Sequence, residues 1–327
     1  MRPPAVARPH GTAAAAVDAA PAGCASERVA AAASVGQGVL EAVSDGFAGR
    51  VGGVFDGGFY VLEVEQAGER ILPTRARPWP ERPVSAANKS GRHPLSTPSG
   101  AAHPRDPSGS EKTVVAVLGP QSWAGPLHLV AAELPELPNR HDEVTVTDGI
   151  LEAGRTRIRV DADKRWAPRL PERLAADAAA WHGMVDPVDP ELGAVWEAVT
   201  GDVRRGDLAA AARRLQGRGA GLTPSGDDVL AGILLVCAMD PACRGALGRL
   251  ARSARTTALS RAYLRWAAAG QSIEPAHALL DAAADGDPNA MGRAARSLAA
   301  VGATSGRALI AGVALAAAEL PAISPDS

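Results

Sequence analysis

One stretch of the chain combines glycines, hydroxyl side chains and two adjacent carboxylates directly before an apolar run. It reads GRGAGLTPSGDDVLAG, residues 217–232, and four of its five glycines fall within its first ten positions. Glycines let the backbone approach a ligand and point N–H groups at it, and the positive end of the following helix favours an anion. The residues of this stretch predicted to bind an anionic group are Gly219, Gly221, Thr223, Ser225 and Gly226.

Asp227 and Asp228 bring negative charge to the same helix start, because helical side chains lean toward the N-terminus. A carboxylate pair and an anion can share a site in two ways. Mg²⁺ can bridge them, or the carboxylates can accept hydrogen bonds from ligand N–H groups while the helix start holds the anionic end. Both aspartates are therefore candidate catalytic residues and candidate ligands of Mg²⁺, the one cofactor that the pattern suggests.

The same stretch also fits a purely structural helix start. Either Thr223 is the N-cap and Pro224 the first helical residue, or Ser225 is the N-cap and Asp228 closes a capping box. Neither arrangement accounts for four glycines or for a second acid before an apolar helix. We therefore favour a functional site, in which Asp227→Asn abolishes activity and leaves the melting temperature nearly unchanged.

Several well-known loops are excluded by the spacing. A Walker A loop needs GK[ST], which does not follow, and Leu222 stands where GxGxxG needs its third glycine. The acids are adjacent, whereas those of an EF-hand loop alternate. A helical pattern precedes the stretch where a dinucleotide-binding fold has a strand.

A second helix start repeats part of the first. The sequence GATSGRALIAGVAL, residues 302–315, contains Ser305 and Gly306 where the first stretch has its own Ser-Gly pair. Arg307 occupies the place of Asp227, where it could hold an anion or pair with an aspartate. Ser305, Gly306 and Arg307 are accordingly predicted to bind ligand, and the two helix starts are predicted to face one another.

A third segment, residues 256–275, adds hydroxyls and an acid. Thr256, Thr257 and Ser260 are predicted to lie along one helix surface, and Glu274 follows a Gly-Gln-Ser break. By themselves these residues indicate surface hydroxyls and a first-turn acid.

The elements that must position these residues fall into two groups. The first half has one helical pattern, at 26–45, followed by strand patterns: period-two alternation after Arg50, a buried strand at 113–120, and turns at Asp148-Gly149 and Ala153-Gly154. The second half is helical, and its predicted helices are 171–183, 190–200, 207–216, 226–239, 241–268, 274–285, 288–300 and 305–320. The fold class is therefore α+β, with a small β-rich N-terminal domain followed by an all-helical C-terminal domain.

The predicted boundaries follow changes in composition. Residues 1–25 are rich in alanine and proline and are predicted to be disordered. The β-rich domain spans 26–168 and is interrupted by a flexible insertion at 73–112, rich in proline, serine, glycine and arginine. The helical domain, which carries the glycine motif, spans 169–322.

Composition and charge exclude several classes of partner. The formal net charge of −2 gives no reason to expect nucleic acid or an anionic membrane surface. Three cysteines without CxxC spacing argue against a disulfide framework and a structural zinc site. The longest apolar run, 229–239, is too short to span a bilayer. A cytoplasmic protein with a small anionic or amide substrate is the expectation.

The pattern GxGLTPSGDD that begins at Gly219, followed by Leu230-Ala231-Gly232, resembles the signature of the AllH family. That family was long described only as a domain of unknown function, and it includes a subunit of the oxamate carbamoyltransferase of anaerobic allantoin degradation. Two further blocks, TTALSRAYLRWAAAG from Thr256 and VGATSGRALIAG from Val301, are also similar. The likeness covers residues 110–320 and is strongest from 217 onward.

The resemblance implies work beside two companion subunits, in a complex that moves a carbamoyl group between oxalurate and phosphate. Such ligands carry a carboxylate or phosphate at one end and amide N–H groups at the other. The function expected is therefore a subunit of a carbamoyltransferase-type complex in purine catabolism, and the chain is expected to be an enzyme subunit. The alternative is a non-catalytic assembly or ligand-binding subunit whose motif is a structural helix start.

Overall fold

The computed structural model describes residues 29–44, 46–63, 114–134, 136–184 and 190–320. The predicted disordered N-terminus at 1–25 and the predicted insertion at 73–112 lie outside the described residues. The strands are β1 (Ala30–Gly36), β2 (Ala48–Phe55), β3 (Gly58–Glu63), β4 (Val114–Leu118), β5 (His128–Ala131), β6 (Glu143–Thr147), β7 (Ile150–Ala153), β8 (Thr156–Arg159) and β9 (Arg165–Trp166).

These strands form one sheet that closes on itself. Its order is β5-β4-β3-β2-β6-β7-β8-β1-β9, and β1 also pairs with β5. Most neighbours are antiparallel, as the alternating patterns predict, and β4–β5, β1–β8 and β1–β9 are parallel. The turn between β6 and β7 places Asp148 at φ 51° and Gly149 at φ 68°, as a type I′ hairpin requires.

The helix predicted at 26–45 is wrong over residues 30–36, which form β1. Alanine favours helices, but propensity is a weak preference that tertiary contacts override. Here the β1 backbone pairs with β5 on one edge and with β8 and β9 on the other, so strand geometry satisfies its N–H and C=O groups. Among the described residues of this range, 29–44, the helical ones are Gln37–Ala42, helix α1.

The helical part begins after the sheet. Its helices are α2 (Ala178–His182), α3 (Pro190–Arg204), α4 (Leu208–Leu215), α5 (Ser225–Cys237), α6 (Arg244–Ser253), α7 (Ala258–Ala268), α8 (Glu274–Ala284), α9 (Pro288–Ala299) and α10 (Ser305–Glu319). The α+β class is thereby confirmed, whereas a domain boundary at 168/169 stays a prediction. None of the described helices is long and apolar enough to cross a membrane.

Two helix predictions fail in an informative way. The predicted helix 171–183 is helical only from Ala178. The predicted helix 241–268 is two helices, because the chain breaks at 254–257 and Thr257 caps α7 by accepting a hydrogen bond from the Ser260 N–H group at 3.0 Å. The break places Thr256 beside the aspartates of α5.

A structural repeat extends the short sequence echo. Several glycine, aspartate and serine residues that lie before or within α4 and α5 have an identical residue 80 positions later, before or within α9 and α10. Gly206 and Gly286 have φ of 71° and 66°, and the next residues, Asp207 and Asp287, cap α4 and α9 with their side chains. The helix pairs α4–α5 and α9–α10 therefore have similar starts and caps, although only part of this similarity is visible in the sequence.

Helices α5 and α10 cross at their own glycines. A Cβ on Gly232 would overlap the Leu309 carbonyl, and a Cβ on Gly312 would overlap the Val229 carbonyl. Only glycine allows two backbones to approach so closely. This crossing brings the N-terminal ends of α5 and α10 together, as the echo predicts.

The closed sheet packs against the helices at this end of the bundle. A Cβ on Gly38 of α1 would lie 2.7 Å from the Trp266 ring of α7. Glu274 ties the loop after β4 to α8, since its N–H group donates to the Ala124 carbonyl at 2.8 Å and its Oε2 accepts from the Ala124 N–H group at 3.2 Å.

Candidate functional site

Three helix starts meet at the glycine motif: those of α5, α7 and α10. Side-chain hydroxyls join α5 and α10 in a reciprocal pair of contacts. The Thr223 and Ser305 oxygens lie 3.0 Å apart, and the Ser225 hydroxyl donates to the Thr304 oxygen at 3.3 Å. Neither hydroxyl of the first stretch caps α5, whose N-cap position is Pro224 and lacks a side-chain cap bond. Both capping explanations of the sequence are therefore wrong.

The glycine loop, residues 216–224, depends on glycine conformations. Gly217, Gly219 and Gly221 have φ of 67°, 106° and 100°, which side chains other than glycine rarely adopt. The N–H group of Gly226 donates to the Arg218 carbonyl and ends the loop. The N–H groups of residues 219–223 donate to no described residue, so they are free to bind an anion in front of α5.

Asp227 holds the loop with both of its oxygens. Its Oδ1 accepts from the Gly217 N–H group at 2.8 Å, and its Oδ2 accepts from the Thr256 hydroxyl. Burial raises the pKa of Asp227, and the bonds from Thr256 and Gly217 act in the opposite direction. Asp227 therefore joins the glycine loop to the start of α7.

Two more bonds fix the loop to the segment before α7. The Thr257 hydroxyl donates to the Leu222 carbonyl at 2.7 Å, and the Arg255 N–H group donates to the Gln216 Oε1 at 2.9 Å. The loop consequently has a defined shape although its tip is exposed.

Asp228 is arranged differently from its neighbour. The residue keeps some solvent exposure, but its Oδ2 is buried and has no hydrogen-bond partner among the described residues. Burial raises the pKa of Asp228 to about 8, Ser305 lowers it by hydrogen bonding, and the nearby Asp227 raises it. An enclosed carboxylate oxygen without a donor is costly, and a ligand N–H group would supply that donor.

Ser260 is a second buried polar group beside the aspartates. It lies on α7, is only 2% exposed, and its hydroxyl bonds to no described atom. It is close enough to Asp227 to lower the pKa of that carboxyl. The buried Asp228 Oδ2 and the Ser260 hydroxyl are positions at which a ligand could supply the missing hydrogen bonds.

Both tyrosines of the chain lie near Asp228. Burial raises the pKa of Tyr60 and of Tyr263, and the Asp228 carboxylate raises both further. Tyr60 belongs to β3 of the sheet and Tyr263 to α7. The sheet therefore contributes to the surroundings of Asp228.

Tyr263 also bonds to the sheet through His128. The Tyr263 hydroxyl and the His128 Nε2 are 3.0 Å apart, and the His128 Nδ1 lies 2.8 Å from the Trp123 carbonyl oxygen. Burial lowers the pKa of His128, so the ring is neutral at pH 7.

The remaining predicted residues have distinct positions. Gly306 lets α10 start against α9, since a Cβ there would overlap the Leu298 carbonyl. Arg307 is exposed, donates to the Ala303 carbonyl at 3.3 Å, and makes no ion pair with a described carboxylate. Glu274 belongs to the contact with the loop after β4.

The described residues contain no group of three or more His, Cys, Asp or Glu side chains that could hold a metal ion. Mg²⁺ can nevertheless bind through one or two carboxylates and ligand oxygens. Because both oxygens of Asp227 already accept hydrogen bonds, Asp228 is the carboxylate left for such an ion.

A cavity of about 720 Å³ elsewhere on the helices is a weaker anion site. Three arginines line it, but each already has a carboxylate partner. Arg204 binds Glu319 at 2.8 Å, while Arg205 and Arg214 bind the buried Asp202 at 2.6 and 2.7 Å. These arginines therefore have little free positive charge to offer.

The comparison with known families gives a match for the segment in which the starts of α5, α7 and α10 meet. Residues 215–317 match the family model described as oxamate carbamoyltransferase subunit AllH. The resemblance seen in the sequence is thereby confirmed for this segment. The AllH-type segment contains all three helix starts and both aspartates, and it excludes the sheet. No curated protein and no solved structure matched the chain.

Sequence reasoning missed the contributions from outside the glycine motif. The sequence indicates Thr256 only as a helix-surface hydroxyl, and it gives no reason to place Tyr60, His128 or Tyr263 in the site. Spacing on α7 offered one signal, because Ser260 and Tyr263 are three residues apart and share a helix face. Nothing local marks Tyr60 or His128, which reach the AllH-type segment only through the packing of the sheet.

Proposed function

We propose that this protein is a subunit of a carbamoyltransferase-type complex of the oxamate carbamoyltransferase kind, acting in the cytoplasm together with companion subunits. The glycine loop binds the anionic end of the ligand, and Asp228 binds its amide end. The observation that carries the proposal is the enclosed Asp228 Oδ2, which lacks a partner beside loop N–H groups that also lack one. The family match to this segment supports the choice of reaction.

The chemistry of carbamoyl transfer suits such a site. When a nucleophile attacks the carbamoyl carbon, negative charge grows on the carbonyl oxygen. Loop N–H groups that the anionic end leaves unused would stabilise this charge from fixed positions, and removal of one such donor typically slows a reaction by about 10²–10³-fold. The positive end of α5 adds to this stabilisation.

Asp228 can donate or accept a proton as well as bind the amide end of the ligand. Burial raises its pKa to about 8, so both protonation states are accessible near neutral pH. A general acid or base works best when its pKa is close to the working pH. A ligand N–H group against Oδ2 would favour the ionised form, since it donates to the charge that burial disfavours.

The test is ligand binding to the full chain, with and without Mg²⁺. We expect oxamate and carbamoyl phosphate to raise the melting temperature, and Asp228→Asn to weaken oxamate binding by roughly tenfold or more, because asparagine keeps one acceptor oxygen but loses the negative charge that strengthens the bond to a ligand N–H group. Asp287→Asn is the matched control, since Asp287 is an exposed N-cap on α9 and asparagine caps equally well.

The proposal fails if Asp228→Asn binds oxamate as tightly as the wild-type chain. If Mg²⁺ raises the wild-type affinity and not that of Asp228→Asn, the ion belongs to the site. If none of these ligands changes the melting temperature, the assembly alternative is favoured.

A second candidate function, subunit assembly, is favoured by one side chain. Leu222 at the tip of the glycine loop is 63% exposed, the largest exposure of the big apolar side chains among the described residues. In that case the leucine, at the tip of a loop of defined shape, would pack against a companion subunit. Leu222→Ser would then weaken association with that subunit and leave oxamate binding to the isolated chain unchanged.

A further inference from the structure

The Tyr263 hydroxyl already donates its hydrogen to His128. The Trp123 carbonyl can only accept, so the neutral His128 ring carries its hydrogen on Nδ1 and donates it there. Nε2 is then an acceptor, and the Tyr263 hydroxyl must donate to it across 3.0 Å. The lone pairs of the Tyr263 oxygen are left for a donor from another group.

Tyr263 lies on the same helix as Ser260 and within electrostatic range of Asp228. Ser260 and Tyr263 share one face of α7, because residues three apart are neighbours on a helix. Asp228 lies near enough to raise the pKa of Tyr263, as does Tyr60 from the sheet. One side of the site therefore holds two oxygen acceptors, the Asp228 carboxylate, whose ionised form a ligand N–H group favours, and the Tyr263 hydroxyl oxygen.

Two acceptors at one end of a site select a ligand group with two hydrogens to give. A primary amide or carbamoyl –NH₂ group has two such hydrogens. A carboxylate of the same shape has none, and its oxygen lone pairs would repel those of the two acceptors. A site with fixed polar partners rejects such an isostere because its buried groups lose their hydrogen bonds.

We propose that Tyr263, oriented by His128, is a specificity-determining residue that accepts a hydrogen bond from the ligand –NH₂ group and so selects amides over carboxylates. His128 is the positioning residue, although it belongs to the sheet and lies outside the AllH-type segment. This inference rests on the proposed function, because it takes the ligand at Asp228 to be an amide.

The experiment compares two ligands of the same shape, oxamate and oxalate, by calorimetric titration of the full chain. The quantity measured is the ratio of the oxalate to the oxamate dissociation constant. In the wild-type chain we expect oxamate to bind more tightly. Tyr263→Phe removes the acceptor and keeps the ring, so the ratio is expected to fall by about five- to tenfold.

Two His128 variants separate positioning from packing. His128→Gln can place its amide oxygen where Nε2 accepts from Tyr263, and we expect it to keep most of the wild-type ratio. His128→Leu offers no acceptor, which frees the Tyr263 hydroxyl to donate toward the ligand, and we expect the ratio to fall as in Tyr263→Phe. His277→Gln is the matched control, because it alters a buried histidine whose Nε2 bonds elsewhere, to the Ser272 N–H group.

The possible outcomes distinguish this inference from the proposed function. If the wild-type chain binds neither ligand, the proposed function fails and the inference fails with it. If the wild-type chain prefers oxamate and Tyr263→Phe leaves the ratio unchanged, the specificity role of Tyr263 is wrong and the proposed function stands. A ratio that falls equally in His128→Gln and His128→Leu contradicts the positioning role of His128.

Discussion

At the scale of single residues, the two adjacent carboxylates have different surroundings. Successive side chains on a helix point about 100° apart. Asp227 therefore faces the glycine loop and Thr256, which together occupy both of its oxygens. Asp228 faces the start of α10 and the sheet, where its Oδ2 meets no donor. We propose that Asp227 maintains the site and that Asp228 acts on the ligand.

This division of roles changes the prediction for Asp227. The sequence alone predicts that Asp227→Asn removes activity at a nearly unchanged melting temperature. We now expect Asp227→Ala to lower the free energy of unfolding by about 1–3 kcal/mol, because the Gly217 N–H group and the Thr256 hydroxyl both lose a buried acceptor. Denaturant titration measures the change.

Asp227→Asn is the graded comparison for that measurement. Its amide oxygen can still accept from the Gly217 N–H group, and the Thr256 hydroxyl can rotate to accept from the amide nitrogen. The loss of stability should therefore be smaller than with alanine. An alanine variant as stable as the wild-type chain would show that Asp227 does not hold the loop.

At the scale of elements, the α5–α10 crossing determines whether a site forms at all. The hydroxyl contacts between Thr223 and Ser305 and between Ser225 and Thr304 exist only because the two helices touch near their starts. That contact depends on two glycines at the crossing, Gly232 on α5 and Gly312 on α10. The glycines inside these apolar helices are therefore explained by packing.

Substitution at the crossing tests this explanation. A methyl group at Gly232 or at Gly312 would overlap a carbonyl group of the facing helix, and we expect either alanine variant to lower the free energy of unfolding by about 3 kcal/mol or more. Gly193→Ala in the exposed part of α3 is the matched control, because a Cβ there meets nothing within 4 Å. That control should gain about 0.5–1 kcal/mol.

Thermal or denaturant unfolding of the three variants gives the comparison. Equal stabilities for Gly232→Ala and Gly193→Ala would contradict close packing of α5 on α10. Gly232→Ala and Gly312→Ala should also lose oxamate binding, because the two helix starts would no longer meet, whereas Gly193→Ala should keep it.

At the scale of the whole molecule, a buried base, His277, and a buried acid, Asp228, give the free energy of unfolding opposite dependences on pH. Burial lowers the pKa of His277 to about 4, below its ordinary value of 6.5, so His277 stabilises the fold above pH 6.5 and loses this contribution as pH falls toward 4. Burial raises the pKa of Asp228 to about 8, so its contribution is lost as pH rises from 3.8 toward 8. Between pH 4 and 6.5 the two trends oppose each other.

Single variants should reveal each trend. Between about pH 4 and 6.5, the stability of the wild-type chain relative to His277→Gln should rise by about 1.4 kcal/mol per pH unit. Relative to Asp228→Asn it should fall by about the same amount over that range. Denaturant titrations at pH 4.5, 5.5 and 6.5 measure both differences, and slopes of the same sign would refute the opposed burial of these two groups.

The sequence by itself determined much that depends on neighbouring residues. The turn at Asp148-Gly149, the buried strand β4 and the starts of most helices follow from local patterns of glycine, proline, capping residues and apolar spacing. The four-glycine motif also revealed the AllH-type segment. In contrast, the alanine-rich run at β1 has the local signature of a helix, and pairing on both of its edges overrides that signature.

Tertiary structure alone decided which groups share the site. Thr256 meets Asp227 because the chain breaks before α7, and the sequence pattern across that break remains helical. Tyr60 and His128 reach Asp228 and Tyr263 because the closed sheet packs on the helix starts, more than a hundred residues away along the chain. The physical reason is that the orientation of a buried carboxylate, and the presence of a donor for it, depend on distant backbones that local propensity does not encode.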